Sequence, residues 1–272
     1  SARSAFTEEK WCYFPLIRAI LPLFSPQQKM MNTQDIYGSP NSVALAPEDA
    51  RAAFIRRTYG HLAGAIAAFI VVEAMLFSIK DIDIMVFSLL GKSSFSWLIV
   101  LGAFMLASSV ANKWAMSGAS KTTQYMGLGL YVVAQAIIML PLLLMAFRMT
   151  GGTADLITEA GIITAGLVVG ITFIAFTTKK DFSFLGGFLK IVGFIAMGLI
   201  VASFFVESLS LGLWFSAAMV VFAGAAILHQ TSNIIHHYRP DQHVAASLGL
   251  FASVALLFWY VLQVLMSLAG RD

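Results

Sequence analysis

"AASLGLFASVALLFWYVLQVLMSL" (residues 245–268) runs through 24 residues without one Asp, Glu, Lys or Arg. As a helix rising 1.5 Å per residue it would be about 36 Å long, enough to cross a hydrocarbon core of about 30 Å. A helix on the surface of a soluble domain keeps a polar face, and this one has none. The stretch therefore reads as a membrane span, and the same ruler finds six more upstream, at 61–79, 95–112, 126–147, 160–178, 185–206 and 211–229. Composition agrees: 59% of the 272 residues are hydrophobic and 11% charged, with a mean hydropathy of +0.83. A soluble domain cannot bury that much apolar surface. Long unbroken runs also exclude a β-barrel, whose strands alternate over about ten residues. The expected fold is an all-α polytopic membrane protein of seven transmembrane helices with short connections. The fifth and sixth spans are separated by little more than "ESLS" (207–210).

Orientation follows from Lys and Arg in the short loops. Arg51, Arg56 and Arg57 precede the first span, Lys113 and Lys121 separate the second and third, Lys179 and Lys180 the fourth and fifth, and Arg239 the sixth and seventh. On the opposite side Lys80, Lys92, Arg148 and Arg271 are mostly offset by Asp81, Asp83, Asp155 and Asp272. The expectation is a cytoplasmic N-terminus and an outward C-terminus. A net charge of +3 is ordinary for such a protein and gives no argument for nucleic acid.

Residues 1–50 differ from the membrane domain at 51–272. "WCYFPLIRAILPLF" (11–24) is apolar, yet Pro15, Arg18 and Pro22 interrupt it, so it reads as an interfacial segment or a tail. Glu8 and Glu9 precede it and no clear cleavage site follows, which argues against a signal peptide. Met31 opens a polar stretch resembling a natural N-terminus, which makes 1–30 a candidate upstream extension. Pro47 and the acidic residues after it predict a helix start.

Charges inside spans are costly and are functional candidates by default. Glu73 lies deepest; Lys80, seven residues on, is expected on the same helical face as a partial counter-charge. Lys190 and Glu207 sit near span ends and can snorkel. Gln135 and Gln263 are intramembrane amides that should seek a partner helix. Pro141 predicts a kink in the third span. Glycines at Gly60-x-x-x-Gly64 and Gly166-x-x-x-Gly170, and Gly186, Gly187, Gly193 and Gly198, predict close helix contacts. Hydrolase, P-loop and zinc-protease motifs are absent, so no enzyme activity and no cofactor are expected. One cysteine, Cys12, leaves no disulfide framework.

Four of the five histidines gather in "ILHQTSNIIHHYRPDQH" (227–243). His229 and His236 are seven apart, about 10 Å along a helix axis, so both cannot ligate one ion on a continuous helix. A polar helix end facing the cytoplasm is the preferred reading, with metal binding and pH sensing as alternatives.

Two stretches resemble a known family. "TTKKDFSFLGGFL" (177–189), and "ILHQTSNIIH" (227–236) followed by "AASLGLF" (245–251), are similar to the Bax-inhibitor family of seven-span proteins, and most to its bacterial YccA-like branch. The resemblance covers about residues 50–272. It implies six helices around a central seventh, here 245–268. In the loop motif, Lys179 and Lys180 would anchor the membrane boundary, Asp181 cap the next helix, and Gly186 and Gly187 allow close packing. Some family members are pH-sensitive calcium leak channels gated by two hydrogen-bonded aspartates; the resemblance places those positions at Gln230 and Phe251, neither of which can ionise. The YccA-like branch implies instead a partner, substrate and modulator of the FtsH membrane protease in the bacterial inner membrane. Two alternatives stand beside that reading. One is a cation leak with a degenerate gate using Glu73, Gln135, His229 and Gln230. The other is an accessory subunit of a larger membrane complex.

Overall fold

A computed structural model of the chain describes residues 42–90, 94–117, 120–178, 180–203, 205 and 211–270. Residues 1–30 with their apolar segment 11–24, Lys92, Lys179, Glu207 with the "ESLS" hairpin, Arg271 and Asp272 lie outside them.

A short 3-10 turn at Val43–Leu45 precedes eight helices: α1 (Glu48–Phe77), α2 (Ile82–Leu90), α3 (Ser94–Ala115), α4 (Lys121–Met149), α5 (Asp155–Thr178), α6 (Leu185–Ser203), α7 (Leu213–His236) and α8 (His243–Ala269). Six of them are long and apolar enough to cross a membrane, and α3 adds a further apolar helix. All seven stretches expected from sequence form helices, most extended by a turn or more, and six of the seven qualify as spans. In α1, Pro47 stands just before the first turn, where Glu48 and Asp49 favour the positive end of the helix dipole. Phe54, Thr58, Leu62, Ala65 and Glu73 are its buried residues, spaced so that they form one inward stripe.

The chain leaves α1 through a turn at residues 78–81, where Asp81 takes the left-handed conformation at φ 58°, one that Asp tolerates better than most residues. Two sequence expectations change here. Helix α1 ends at Phe77, so Lys80 lies beyond it and does not share a helical face with Glu73. The chain then forms α2, a nine-residue helix that the span ruler misses because it is too short to cross. Arg148 at the end of α4 pins α2, bonding Asp83 at 2.6 Å with its guanidinium carbon 4.5 Å from the Phe87 ring centre. The expected offset of Arg148 by acidic residues is thus an actual ion pair.

Helix α8 is the centre of the bundle, packing against α1, α3, α4, α5 and α7. Helix α6 has α7 as its principal neighbour and joins the middle through the buried cluster of Ala196, Met219 and Tyr260. A second pillar stands beside α8: 61% of the most apolar stretch of α4 is buried, against 44% for α8 and at most 22% for the other spans. Pro141 lies inside α4, where it cannot donate to the carbonyl one turn back. The interior is apolar, with occasional bonds between helices such as Ser216 donating to Gln263 at 3.1 Å, the bridging role expected of that amide.

The expected small-residue contacts hold only in part: Gly193 is buried in α6 and Gly186 packs against the His229 ring. Nothing lies within 4 Å of a Cβ placed at Gly60, Gly64, Gly166, Gly170, Gly187 or Gly198. These glycines face outward, because their spacing puts them on the lipid side of helices whose inward stripe carries larger residues. The close approach is at Gly127 of α4, where a Cβ would fall 2.6 Å from the carbonyl oxygen of Ala111 and 2.7 Å from the amide nitrogen of Ala115. There the backbones of α3 and α4 nearly touch.

Candidate functional site

The polar residues concentrate at the end of the bundle where α1 begins, α7 ends and α8 begins. The turn before α1 is tied to this end, with the Val43 N–H donating to the Tyr238 carbonyl at 2.8 Å. The loop from α5 to α6 folds against the last two turns of α7 and joins the two motifs quoted above, about 50 residues apart. Ser232, 1% exposed, is the hub. Its hydroxyl accepts the Phe182 N–H at 2.8 Å and donates to Asp181 at 3.2 Å. Asp181 also accepts the Ser183 N–H at 2.9 Å, a bond that closes the turn before α6 and does not cap the helix itself, which begins only at Leu185.

His229 lies across the same corner, with Nδ1 3.3 Å from the Phe182 carbonyl and Nε2 3.0 Å from the Asn233 amide nitrogen. A carbonyl faces one ring nitrogen and an NH2 group the other, so the ring bridges the loop and the next turn of α7. Gly186 permits this approach, since a Cβ there would meet the His229 ring at 2.9 Å. Gly187 has open space instead. The other histidines each have a different neighbour. His236 Nδ1 donates to the Ser232 carbonyl at 3.0 Å, His237 lies 3.4 Å from Asp181, and His243 packs its ring 5.1 Å from that of His61. Burial raises the Asp181 carboxyl, but Ser183, His237 and Ser232 together pull it below the usual carboxylate range. Burial holds His237 below the usual imidazole range, with Asp181 opposing only in part. At neutral pH the corner therefore sets a carboxylate against an uncharged ring.

Sequence reasoning singled out the flanking lysines and glycines and missed Ser232. Its signal was a small hydroxyl one turn inside the polar end of α7, in the motif that follows the loop motif by about 50 residues. Lys180 is exposed, and Lys179 lies outside the described residues. Replacing Ser232 with alanine is expected to orphan the Phe182 N–H and destabilise the corner by about 2 kcal/mol. Hydrogen exchange should show this as faster exchange at Phe182–Gly186 before the helices themselves open.

The two positions that the sequence resemblance sets against gating aspartates hold other chemistry. Gln230 donates its amide to the Tyr238 hydroxyl at 2.8 Å and lies against Gly249, where an added Cβ would displace the amide. Phe251, 2% exposed, meets Phe69 and Tyr131 edge-on with ring centres 6.2 and 6.0 Å away. An amide hydrogen bond and an aromatic cluster occupy the place of a carboxyl pair.

Glu73 and Gln135 are both 7% exposed, but they do not join the corner. Glu73 is one turn from the far end of α1, whereas His229 and Gln230 lie within two turns of the end of α7. Both carboxyl oxygens of Glu73 are buried without a hydrogen-bond partner among the described residues. The four residues suggested for an ion path are thus spread along the bundle, with Glu73 near one end, Gln135 midway along α4, and His229 and Gln230 toward the other end.

Membrane-length helices around a central apolar one, with a polar corner at a single end, define a multi-pass α-helical membrane protein. The chain belongs to the family described as Inhibitor of apoptosis-promoting Bax1, which matches residues 51–270. An uncharacterized protein of Pseudomonas aeruginosa is 33% identical over 172 residues, 63% of this chain and 72% of its own. Bax inhibitor 1 of Schizosaccharomyces pombe is 29% identical over 245 residues, 88% of this chain and 85% of its own. The Escherichia coli protein named Modulator of FtsH protease YccA is 33% identical over 124 residues, 46% of this chain and 56% of that relative.

Proposed function

We propose that this protein acts through protein partners in a bacterial inner membrane, as a modulator or substrate of the FtsH protease, with its N-terminus and polar corner in the cytoplasm. The observation that carries the proposal is the 33% identity to the relative named as a modulator of that protease. The site chemistry supports it. A proton-operated gate needs carboxylates sharing a proton, and here Gln230 and Phe251 are engaged in a hydrogen bond and an aromatic cluster. Affinity purification of the tagged full chain from its native membranes in mild detergent is expected to recover FtsH or the membrane proteins bound to it. Recovery of neither would overturn the proposal.

A second reading, a weak cation leak, is favoured by Glu73, whose buried carboxyl has no hydrogen-bond partner among the described residues. Liposomes carrying the protein would then pass calcium in a pH-dependent way, and Glu73→Gln would abolish the flux. Flux equal to that of empty liposomes at every pH would exclude this reading.

A further inference from the structure

Where α1 meets α4, a groove of about 520 Å³ opens on the outer face of the bundle. Gly60, Gly64, Ala68 and Val72 line it from α1, and Gly129 and Val133 from α4. Its volume falls within the range of about 300–1,000 Å³ usual for ligand sites. Its shape is long: Gly60 to Val72 spans about 18 Å of helix at 1.5 Å per residue. Because this face is turned toward the membrane and no helix among the described residues covers it, the bilayer is the medium that fills it.

One end of the groove is cationic. Arg57 lines it there beside His61 and Tyr125, which bridge α1 and α4 through His61 Nε2 and the Tyr125 hydroxyl at 3.0 Å. Lys121 stands one turn before Tyr125 on the same face of α4. Arg57, Lys121 and His61 all lie close enough to act electrostatically on His243. Neither Arg57 nor Lys121 forms an ion pair with any described residue. The nearest acids are otherwise placed: Asp241 pairs with Arg239 at 3.0 Å, and Glu48 and Asp49 lie two turns up α1.

We propose that this groove binds one anionic phospholipid, with an acyl chain along Gly60, Gly64 and Gly129 and the phosphate held by Arg57 and Lys121. A guanidinium offers a phosphate two parallel N–H donors, and basic pockets between transmembrane helices are suited to acidic headgroups. A second copy of the chain fits less well. Two-fold packing about an axis along the membrane normal would bring Arg57 and Lys121 of both copies to one level, like charge against like charge. A concave slot also suits a thin chain better than a helix.

The test is native mass spectrometry of the full chain released from micelles supplied with equal amounts of phosphatidylglycerol and phosphatidylcholine bearing the same acyl chains. One phosphatidylglycerol is expected to be retained, at least about tenfold over phosphatidylcholine. Combining Arg57→Gln with Lys121→Gln should remove that preference while leaving phosphatidylcholine retention unchanged. Gly64→Leu should lose both lipids and stay folded by circular dichroism, since nothing lies within 4 Å of a Cβ there. Should that variant unfold, Gly129→Leu fills the groove from α4 with the same clearance. Equal retention of both lipids by the unsubstituted protein would overturn the proposal, as would phosphatidylglycerol retention unchanged by the leucine. So would displacement of the lipid by inorganic phosphate alone, or a dimer that Gly64→Leu breaks apart.

Discussion

Replacing Gly127 with alanine is expected to destabilise the bundle by about 3 kcal/mol, the upper part of the range for overpacking. The added methyl would fall within 2.7 Å of two backbone atoms, the Ala111 oxygen and the Ala115 nitrogen. Backbone atoms have no rotamer to escape into, so α3 must move as a body away from α4. Ala111 and Ala115, at 0% and 2% exposed, show how closely the two helices are seated. Gly129→Ala is the matched control, two residues along the same helix with open space around its Cβ. It should gain up to about 1 kcal/mol from helix propensity. The measurement is reversible unfolding in mixed micelles. If the two variants shift stability in the same direction, the close approach at Gly127 is not what sets the spacing of α3 and α4.

Glu73→Leu is expected to act in the opposite sense and raise stability by about 2 kcal/mol. A buried polar group without a hydrogen bond costs about 1–3 kcal/mol, and both Glu73 oxygens are in that position. Leucine has similar reach and leaves nothing to solvate. Glu73→Gln is nearly isosteric and keeps two polar atoms in the same place, so it should change stability little. The same unfolding assay separates the two variants. A leucine variant less stable than the starting protein would mean that the carboxyl is satisfied in the bilayer-embedded state by water or an ion.

Much of the fold was legible because the bilayer imposes a simple length rule. A helix must supply about 20 apolar residues to cross, and the seven runs counted in this way all became helices. The rule says nothing about a helix that does not cross, so α2 went unseen. It is equally silent on which face of a span is inside. In the Gly60-x-x-x-Gly64 pattern the spacing was right for helix contact but the azimuth was wrong, because Leu62 and Ala65 hold the inward stripe of α1. Gly127 carries no sequence signal of its own, since its importance comes from Ala111 and Ala115 on another helix.

The site divided along similar lines. That Gln230 and Phe251 cannot ionise could be read directly from their side chains. Asp181 was expected to cap α6, but its local bond to the Ser183 N–H closes the turn before the helix instead. The hub role of Ser232 was not legible, because its partners Phe182 and Asp181 are about 50 positions away and one of the contacts is to a main-chain amide. Glu73 was expected deep in its span and is buried, but it lies one turn from the end of α1, and its compensation by Lys80 assumed a helix that continues past Phe77.

The position of α8 has a consequence for how the molecule comes to exist. A chain is inserted in the order in which it is synthesised, so α1, α4, α5 and α7 enter the bilayer before the helix on which all of them pack. Until then Phe69 and Tyr131 have no Phe251 to close on, and Gln230 has no Gly249 to rest against. Contacts that join the first helix to the last are the slowest kind for a chain to make. During synthesis the early helices form an open ring around a vacant axis, and assembly finishes with the arrival of the core itself.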